Sequence, residues 1–262
     1  MRIVVAHKWA ADPQEAVVGA DGAVDWSRAR PAVSEYDAVA IAVGRQLADA
    51  SGAELVGLSV GGPTAAAPLA AKAALARGLD SALIVADPAL AEADSAVTAQ
   101  VLAAAVTELG QVGLVLTGDC SVDRGARLTP AVLAGWLDWV CLAEVSAVRW
   151  DPTGLSLERE SDGGWQSLTL SPPAVLALAA GAVYPPVPGM KDVLAAARKP
   201  IRQLDLGQLG LELIRAPLLL AAAPAPAPDR RGVVIDAMDP ALAAAELVAR
   251  LSHDGLTWEG RP

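Results

Sequence analysis

Residues 81–117 read SALIVADPALAEADSAVTAQVLAAAVTELGQVGLVLT, and three hydrophobic patterns follow one another in this stretch. Ser81–Ala86 is a short apolar run that is typical of a buried strand, and Val112–Thr117 is a second one. Between them, Ser95–Leu109 has its apolar side chains at helical spacing. A strand, a helix and a strand in this order predict a βαβ unit, in which a right-handed crossover joins two parallel strands.

The same alternation extends toward the N-terminus. Arg2–Ala6 and Glu54–Val60 have the pattern of strands, while Ser34–Ala50 and Thr64–Arg77 have the pattern of helices. Repeated alternation predicts an α/β fold with a doubly wound, mostly parallel sheet. Ligands in such sheets bind beyond the carboxyl ends of the strands, so we expect the ligand site in the loops that follow them.

The second half of the chain begins with a different period. Leu142–Trp150, Leu155–Glu160 and Trp165–Leu170 alternate between apolar and polar residues and predict an antiparallel meander added to the sheet. One more apolar strand, Ala174–Leu178, and a helix around Gly189–Ala197 are expected after it.

Beyond this helix the chain loses its regular alternation. The Ala/Pro segment 221–228 predicts an extended linker, followed by a strand at Val233–Ile235 and a helix at Pro240–Leu251. We therefore expect an α/β domain at residues 1–220 and a linker with a C-terminal arm at 221–262. The terminal helix either folds back onto its own sheet or packs on a partner subunit.

The composition excludes several classes of protein. A chain of 262 residues that is 53% hydrophobic buries enough surface to fold, so it is not disordered. With no Phe and two Tyr, its core consists of Ala, Val and Leu, which suits a sheet covered by helices. A net charge of -10 repels phosphate backbones and anionic lipids, so neither nucleic acid nor stable membrane insertion is expected.

The cysteines and histidines are too few for a disulfide framework or a metal site. Cys120 and Cys141 have no partner at metal-ligand spacing, and the two histidines are far apart in the sequence. The N-terminus lacks the apolar core of a signal peptide, because His7, Lys8 and Asp12 interrupt it. We expect a cytoplasmic protein without a bound metal.

One loop has the composition of an anion site. Residues 118–129 read GDCSVDRGARLT and join a strand to a helix that begins near Pro130. Glycines allow close backbone approach, Arg124 and Arg127 bring positive charge, and free N–H groups at a helix start attract phosphate. The alternative is a capped turn with solvated arginines, since neither a P-loop nor a G-x-G-x-x-G pattern is present.

The sequence offers little support for catalysis. Cys120 lies next to a helix start, which lowers the pKa of a thiol, so an enzyme with a cysteine nucleophile is one alternative. No base accompanies it, and no carboxylate pair or Ser-His-Asp arrangement is apparent. Ser34 is expected as the N-cap of the first helix, with Glu35 and Asp37 complementing the helix dipole.

Several segments resemble the beta subunit of electron transfer flavoprotein, in matching order and spacing from Met1 to about residue 251. The matching segments are Ile3–Lys8, Ser34–Ala40, Ser59–Pro63, Thr117–Asp123, Tyr184–Lys191 and Arg198–Ile201. The resemblance implies a sheet of the adenine nucleotide alpha hydrolase-like kind. It also implies a heterodimer with a larger alpha subunit, which passes electrons from a dehydrogenase to an acceptor through FAD held mainly by the alpha subunit.

The resemblance further implies a structural AMP in the beta subunit and a recognition loop for the dehydrogenase. Carried over by position, the AMP pocket uses Ala6, Ser34, Glu35, Tyr36, Asp37, Gly61, Gly118, Asp119, Cys120, Ser121, Val122, Asp123, Arg124, Gly125, Ala126, Arg127, Leu128 and Thr129. The recognition loop uses Val183, Tyr184, Pro185, Pro186, Val187, Pro188, Gly189, Met190 and Lys191. Val187 occupies the position of a leucine that contacts the dehydrogenase.

The phosphate loop departs from the family pattern. An Asn-Gln-Thr-Gly segment is usual where this chain has Arg127-Leu-Thr-Pro130. Arg127 either strengthens phosphate binding or leaves the site altered or empty. A second FAD in place of AMP is the less favoured occupant, because the Tyr-Ala-Gln-Gln segment of that branch is absent. The alternative to a carrier subunit is a stand-alone regulatory protein that binds an adenine nucleotide.

Overall fold

The computed structural model describes residues 1–151, 154–161, 163–214, 232–236 and 238–256. Within these residues the chain forms two compact units. The first contains residues 1–19 and the described chain from residue 24 to residue 214, and the second contains residues 20–23 with the described chain from residue 232. The linker predicted at 221–228 lies outside the described residues, so the expected division at residue 220 stays a prediction.

Thirteen strands and six α-helices form within the described part of the chain. The strands are β1 Arg2–Ala6, β2 Trp9–Ala11, β3 Val17–Val18, β4 Val24–Asp25, β5 Pro31–Val33, β6 Glu54–Gly61, β7 Ser81–Ala86, β8 Val112–Gly118, β9 Val140–Asp151, β10 Gly154–Ser161, β11 Gly164–Leu170, β12 Ala174–Leu178 and β13 Ile201–Leu204. The helices are α1 Glu35–Ser51, α2 Pro68–Leu75, α3 Ser95–Leu109, α4 Thr129–Leu137, α5 Met190–Ala196 and α6 Pro240–His253.

A central sheet of the described chain has the order β11-β10-β9-β12-β8-β1-β6-β7-β13. The neighbours from β9 through β12, β8, β1, β6 and β7 to β13 are parallel, and only the pairs β9–β10 and β10–β11 are antiparallel. The predicted doubly wound, mostly parallel sheet with an antiparallel meander is therefore confirmed. The fold class followed from the alternation of apolar runs because that alternation reflects burial on both faces.

Each face of the sheet is covered by helices. Ile3 and Leu55 of the sheet pack with Leu47 of α1 and Leu75 of α2 on one face. On the opposite face, the cluster that includes Val115 contains side chains of α3 and α4. The chain thus leaves β1 toward one face and β8 toward the other, although the two strands are neighbours. This is the topological switch point, where such sheets open a crevice at the carboxyl ends of their strands.

Three elements differ from the sequence-based expectation: one helix is divided, one predicted strand does not form, and one strand was not predicted. The helix predicted at Thr64–Arg77 is instead a 3₁₀ turn at Pro63–Ala66 followed by α2, because Pro68 has no N–H to continue a helix and begins a new one. The strand predicted at Val233–Ile235 is wrong, since these residues adopt no regular structure. The edge strand β13 was not predicted, because only its last residue is buried.

A segment without regular structure, residues 205–214, packs over α3. Leu209, Leu211 and Leu213 lie against the core cluster on this face. The buried side chain of Gln100 donates a hydrogen bond to the carbonyl of Glu212 at 2.9 Å and accepts one from the N–H of Ile214 at 3.0 Å. One carboxamide of α3 therefore fastens this segment at two points.

No helix in the described part of the chain is both long and apolar enough to cross a membrane.

Candidate functional site

A cavity of about 300 Å³ lies at the switch point, beyond the carboxyl ends of β1, β6 and β8. Its walls come from the loops after these strands and from the N-terminal parts of α1, α3 and α4. We call the opening between the ends of β1 and β8, where this cavity lies, the crevice. Its position is the one that the strand order dictates for a ligand in an α/β sheet.

The carboxylate of Asp37 joins the two sides of the crevice. Asp37 is 6% exposed, and one of its oxygens accepts a hydrogen bond from the backbone N–H of Lys8 at 2.7 Å. Its other oxygen accepts a hydrogen bond from the backbone N–H of Gly118 at 3.2 Å. We call this arrangement the Asp37 clamp. It connects the first turn of α1 with the loop after β1 and with the end of β8.

Ser34 is the N-cap of α1 by position, and Asp37 lies in the first turn, as the sequence predicted, but neither side chain caps the helix by a hydrogen bond. The N–H of Ser34, which a carboxylate at the third helical position usually binds, instead donates to the carbonyl of Lys8 at 3.1 Å. Asp37 is thereby free to bind Lys8 and Gly118. Ser34 does occupy the N-cap position, but its hydroxyl makes no capping hydrogen bond.

Burial governs the ionisation of Asp37. Loss of hydration raises the pKa of Asp37 to about 7, against the opposing effects of the Lys8 and Gly118 N–H groups and of the Lys8 ammonium. The nearby carboxylate of Asp123 raises the pKa further. The Asp37 clamp therefore changes its protonation state in the physiological range.

Ion pairs hold the loop between β8 and α4. The Lys8 ammonium lies 2.6 Å from the carboxylate of Asp123. Burial raises the pKa of Asp123, but its hydrogen bonds with Lys8 and Ser121 outweigh burial and leave the pKa below its usual value. Arg127 lies 2.9 Å from the carboxylate of Asp119 and 3.0 Å from that of Glu144 in β9. Arg124 lies 3.7 Å from the carboxylate of Glu92, so both arginines that the sequence assigned to anion binding are already paired with carboxylates.

The start of α4 offers further donors for an anion. No side chain caps this helix, and Leu128 precedes it with a helical backbone conformation. The first-turn N–H groups of α4 therefore lack a side-chain acceptor, and Thr129 and Arg127 lie at the same place in the cavity wall. By contrast, α3 is capped, because Asp94 accepts a hydrogen bond from the N–H of Val97 at 2.8 Å.

His7 lines the cavity but is neutral. It is 8% exposed, and neither ring nitrogen has a hydrogen-bond partner within the described part of the chain. Burial lowers the pKa of His7 to about 4. An imidazole in this state carries no charge above pH 5, so it contributes nothing to the attraction of an anion.

Most of the predicted pocket residues meet in the cavity wall. Those that line it are Ala6, Asp37, Gly61, Gly118, Asp119, Cys120, Ser121, Asp123, Arg124, Ala126, Arg127 and Thr129. Those that do not line it are Ser34, Glu35, Tyr36, Val122, Gly125 and Leu128. The second group belongs to the same two segments, 34–37 and 118–129, but its members do not line the cavity.

Several parts of the wall were not among the predicted residues, and one of them is the loop after β7, with Leu90, Ala91, Ala93 and Asp94. Lys8 and Trp9 line the cavity because they directly follow β1, and the rule on carboxyl ends of strands was sufficient to find them. Ser95, Thr98 and Leu102 of α3 line it as well. These residues reach the cavity because α3 connects β7 to β8 across one face of the sheet. The βαβ pattern predicted this connection but not which residues of α3 would face the cavity.

The recognition loop lies apart from the cavity wall. Residues 183–189 connect β12 to α5 without regular structure, and Met190 and Lys191 begin α5. Tyr184 is 97% exposed and Val187 is 90% exposed. Large apolar side chains at this exposure are typical of a contact surface.

Among the described residues, no group of three or more His, Cys, Asp or Glu side chains has the arrangement of a metal site.

The chain was compared with models of known protein families. The family model described as the electron transfer flavoprotein domain matches residues 22–209 of the chain, which is more than half of it. The matched range contains α1, the loops after β6 and β8, the meander and the recognition loop.

Proposed function

Since the chain belongs to the electron transfer flavoprotein domain family, we propose that it is the beta subunit of a heterodimeric electron transfer flavoprotein. In this proposal it carries electrons from a dehydrogenase to an acceptor and is not an enzyme by itself. FAD, held mainly by a larger alpha subunit, supplies the redox chemistry. The chain contributes the scaffold, a structural AMP and the docking loop. The observation that carries the proposal is the cavity at the switch point of a chain from this family.

The size of the cavity supports AMP over a second FAD. Ligand pockets range from about 300 to 1,000 Å³, so a cavity of about 300 Å³ is at the lower end of that range. A mononucleotide suits this volume, whereas FAD carries a second nucleotide and a three-ring flavin.

The side chains of the wall also suit a mononucleotide. Arg127, the Thr129 hydroxyl and the uncapped N–H groups of α4 would hold the phosphate. Leu90, Ala91 and Leu102 form an apolar part of the wall that would accept the adenine. These groups bind and orient a ligand, and no nucleophile with a base lies among them.

Two exposed apolar surfaces support contacts with other proteins. Tyr184, Val187 and Met190 project from the recognition loop and would contact the dehydrogenase. In the terminal arm, Leu247, Val248 and Leu251 of α6 are exposed and would pack on the alpha subunit. Burial of such side chains contributes roughly 1.5–3 kcal/mol each.

Co-expression with an alpha subunit tests the carrier function. We expect a yellow heterodimer that contains FAD and is bleached by chemical reduction. A colourless chain that does not associate with the alpha subunit contradicts the proposal.

The nucleotide released on denaturation tests the content of the cavity. We expect AMP in amounts equal to the chain. ATP or a cyclic nucleotide from a chain that stays monomeric would instead support a stand-alone regulatory protein.

A charge in the recognition loop tests the docking of the dehydrogenase. We expect Val187→Glu to slow electron transfer from the dehydrogenase while the heterodimer keeps its FAD, because the charge must be desolvated at the contact. The matched control is Val18→Glu, at a position that is also exposed but lies in β3. Equal rates for the two variants would show that the loop is not the docking site.

A further inference from the structure

The two hydrogen bonds of the Asp37 clamp add a third link between parts of the chain that also meet through the pairing of β1 with β8 and through the ion pair of Lys8 with Asp123. Lys8 follows β1, and Gly118 ends β8. These are the two sides of the crevice. The carboxylate that reaches both of them comes from a third element, α1, at its third residue. Asp37 therefore ties α1 to both of the loops that form the nucleotide cavity.

The packing around Gly118 shows how closely α1 approaches the end of β8. A Cβ atom at Gly118 would lie 2.7 Å from the carbonyl carbon of Tyr36 and 2.8 Å from a carboxylate oxygen of Asp37. Both distances are well below van der Waals contact. The end of β8 thus lies directly against the first turn of α1.

We infer that Asp37 is a positioning residue, which holds the crevice at the width of an adenine nucleotide through the backbone N–H groups of Lys8 and Gly118. Asp37 lines the cavity, but each of its carboxylate oxygens already accepts one of these N–H groups, so we expect it to act on the ligand through the two loops. This inference rests on the proposed function only in assuming that the cavity holds an adenine nucleotide.

The protonation state of Asp37 gives the inference a measurable consequence. A carboxylate accepts both N–H groups, whereas a carboxylic acid turns one O–H toward a donor and loses that hydrogen bond. The charged groups that act on Asp37 are the Lys8 ammonium from the loop after β1 and the Asp123 carboxylate from the loop after β8. Because the pKa of Asp37 is about 7, the clamp loosens as the pH falls through neutrality.

The variant Asp37→Asn tests this directly, because an amide has nearly the shape of the protonated acid. For the wild type, we expect the affinity for adenosine to fall about tenfold between pH 8 and pH 6, as for the loss of one hydrogen bond to a charged group. For Asp37→Asn, we expect the lower affinity at both pH values. Adenosine is the ligand of choice because the phosphate of AMP itself titrates near pH 6.

The matched control is Asp49→Asn, which removes a carboxylate from the other end of α1. Asp49 is exposed and pairs with Arg45. We expect this variant to keep the affinity and the pH profile of the wild type. A wild-type profile in Asp37→Asn, or a flat profile in the wild type, overturns the inference.

Hydrogen exchange of the free protein gives a second readout that needs no ligand. At pH 8, we expect the amides of Lys8 or Gly118 to exchange at least tenfold faster in Asp37→Asn than in the wild type, with no change in Asp49→Asn. If binding weakens while both amides stay protected, Asp37 contacts the ligand directly and the inference is wrong. If the wild type binds neither adenosine nor AMP, the nucleotide part of the proposed function is wrong. The exchange rates of the Lys8 and Gly118 amides then test by themselves whether Asp37 holds the two loops.

Discussion

Gly118 and Tyr36 approach so closely that a Cβ atom at residue 118 would lie 2.7 Å from the backbone of residue 36. Relief requires a shift of backbone, because the contact is not with the end of a flexible side chain. We expect Gly118→Ala to destabilise the fold by about 1–3 kcal/mol, which is the usual cost of overpacking. Urea unfolding of the two proteins measures this difference.

The control variant, Gly135→Ala, is expected to change the free energy of unfolding in the opposite direction. Gly135 lies in α4, and a Cβ atom there meets nothing within 4 Å. We expect Gly135→Ala to stabilise the protein by about 0.5–1 kcal/mol, because alanine has the higher helix propensity. Equal destabilisation by both substitutions would contradict the close approach at Gly118.

Variants of the ion pair of Arg127 and Asp119 allow the contribution to phosphate binding to be measured separately from the contribution to stability. Asp119 is buried, with its side chain 8% exposed, whereas Arg127 is largely exposed. We expect Arg127→Ala to lower the affinity for AMP by at least tenfold and to leave that for adenosine unchanged. It also leaves a buried carboxylate unpaired, at a cost of about 1–2 kcal/mol given the exposure of the arginine.

The double variant Arg127→Ala with Asp119→Asn provides the control. We expect it to regain most of the stability but not the affinity for AMP, since only the unpaired charge has been removed. Isothermal calorimetry and urea unfolding give the two quantities. Recovery of AMP affinity in the double variant would show that Arg127 does not bind the phosphate.

The buried side chain of Gln100 holds residues 212–214 against α3, and its removal breaks the hydrogen bonds to the Glu212 carbonyl and from the Ile214 N–H. We expect Gln100→Leu to destabilise the protein by about 1–3 kcal/mol and to speed the exchange of the Ile214 amide. Thr107→Val is the control, because Thr107 bonds only to Ala103 within α3. If the Ile214 amide stays protected from exchange in Gln100→Leu, Gln100 does not hold this segment against α3.

His7 and Asp37 have opposite effects on the pH dependence of stability. The pKa of Asp37 is raised from 3.8 to about 7, so its contribution is complete below pH 4 and is lost as the pH rises through 7. The pKa of His7 is lowered from 6.5 to about 4, so its contribution is complete above pH 6.5 and is lost as the pH falls through 4. Between pH 4 and pH 6.5 the two slopes oppose each other.

Substitution of either His7 or Asp37 should leave the pH dependence of stability that the other group causes. Relative to the wild type, we expect the stability of Asp37→Asn to rise between pH 4 and pH 6.5, and that of His7→Leu to fall. The size is roughly 3 kcal/mol in each case, because a tenfold change in proton affinity corresponds to about 1.4 kcal/mol. Urea unfolding at a series of pH values measures both, and identical slopes in the two variants would contradict the assignment.

The sequence predicted the sheet, its meander and the position of the cavity, because burial and strand ends leave local patterns. It did not predict the role of Asp37, whose two partners are 29 and 81 residues away. The local rule for an acidic residue in a first helical turn predicted only a favourable interaction with the helix dipole. Tertiary hydrogen bonds to backbone N–H groups leave no signal in the sequence.

Edge elements were the least predictable part of the fold. The residues of β13 are Ile201-Arg-Gln-Leu204, and only Leu204 is buried. An edge strand of this kind lacks the apolar run that identified the central strands. Val233–Ile235 shows the reverse case, because it is a β-branched run that pairs with no strand within the described chain.

The walls of the cavity come from segments near residues 8, 37, 61, 94 and 120, which are brought together only in the folded chain. A molecule that fills it therefore binds the native state alone and shifts the folding equilibrium by mass action. At a hundred times its dissociation constant, such a ligand adds about 2.7 kcal/mol to the free energy of unfolding. The supply of that ligand would then govern how long the chain survives proteolysis in the cell and how much of it accumulates.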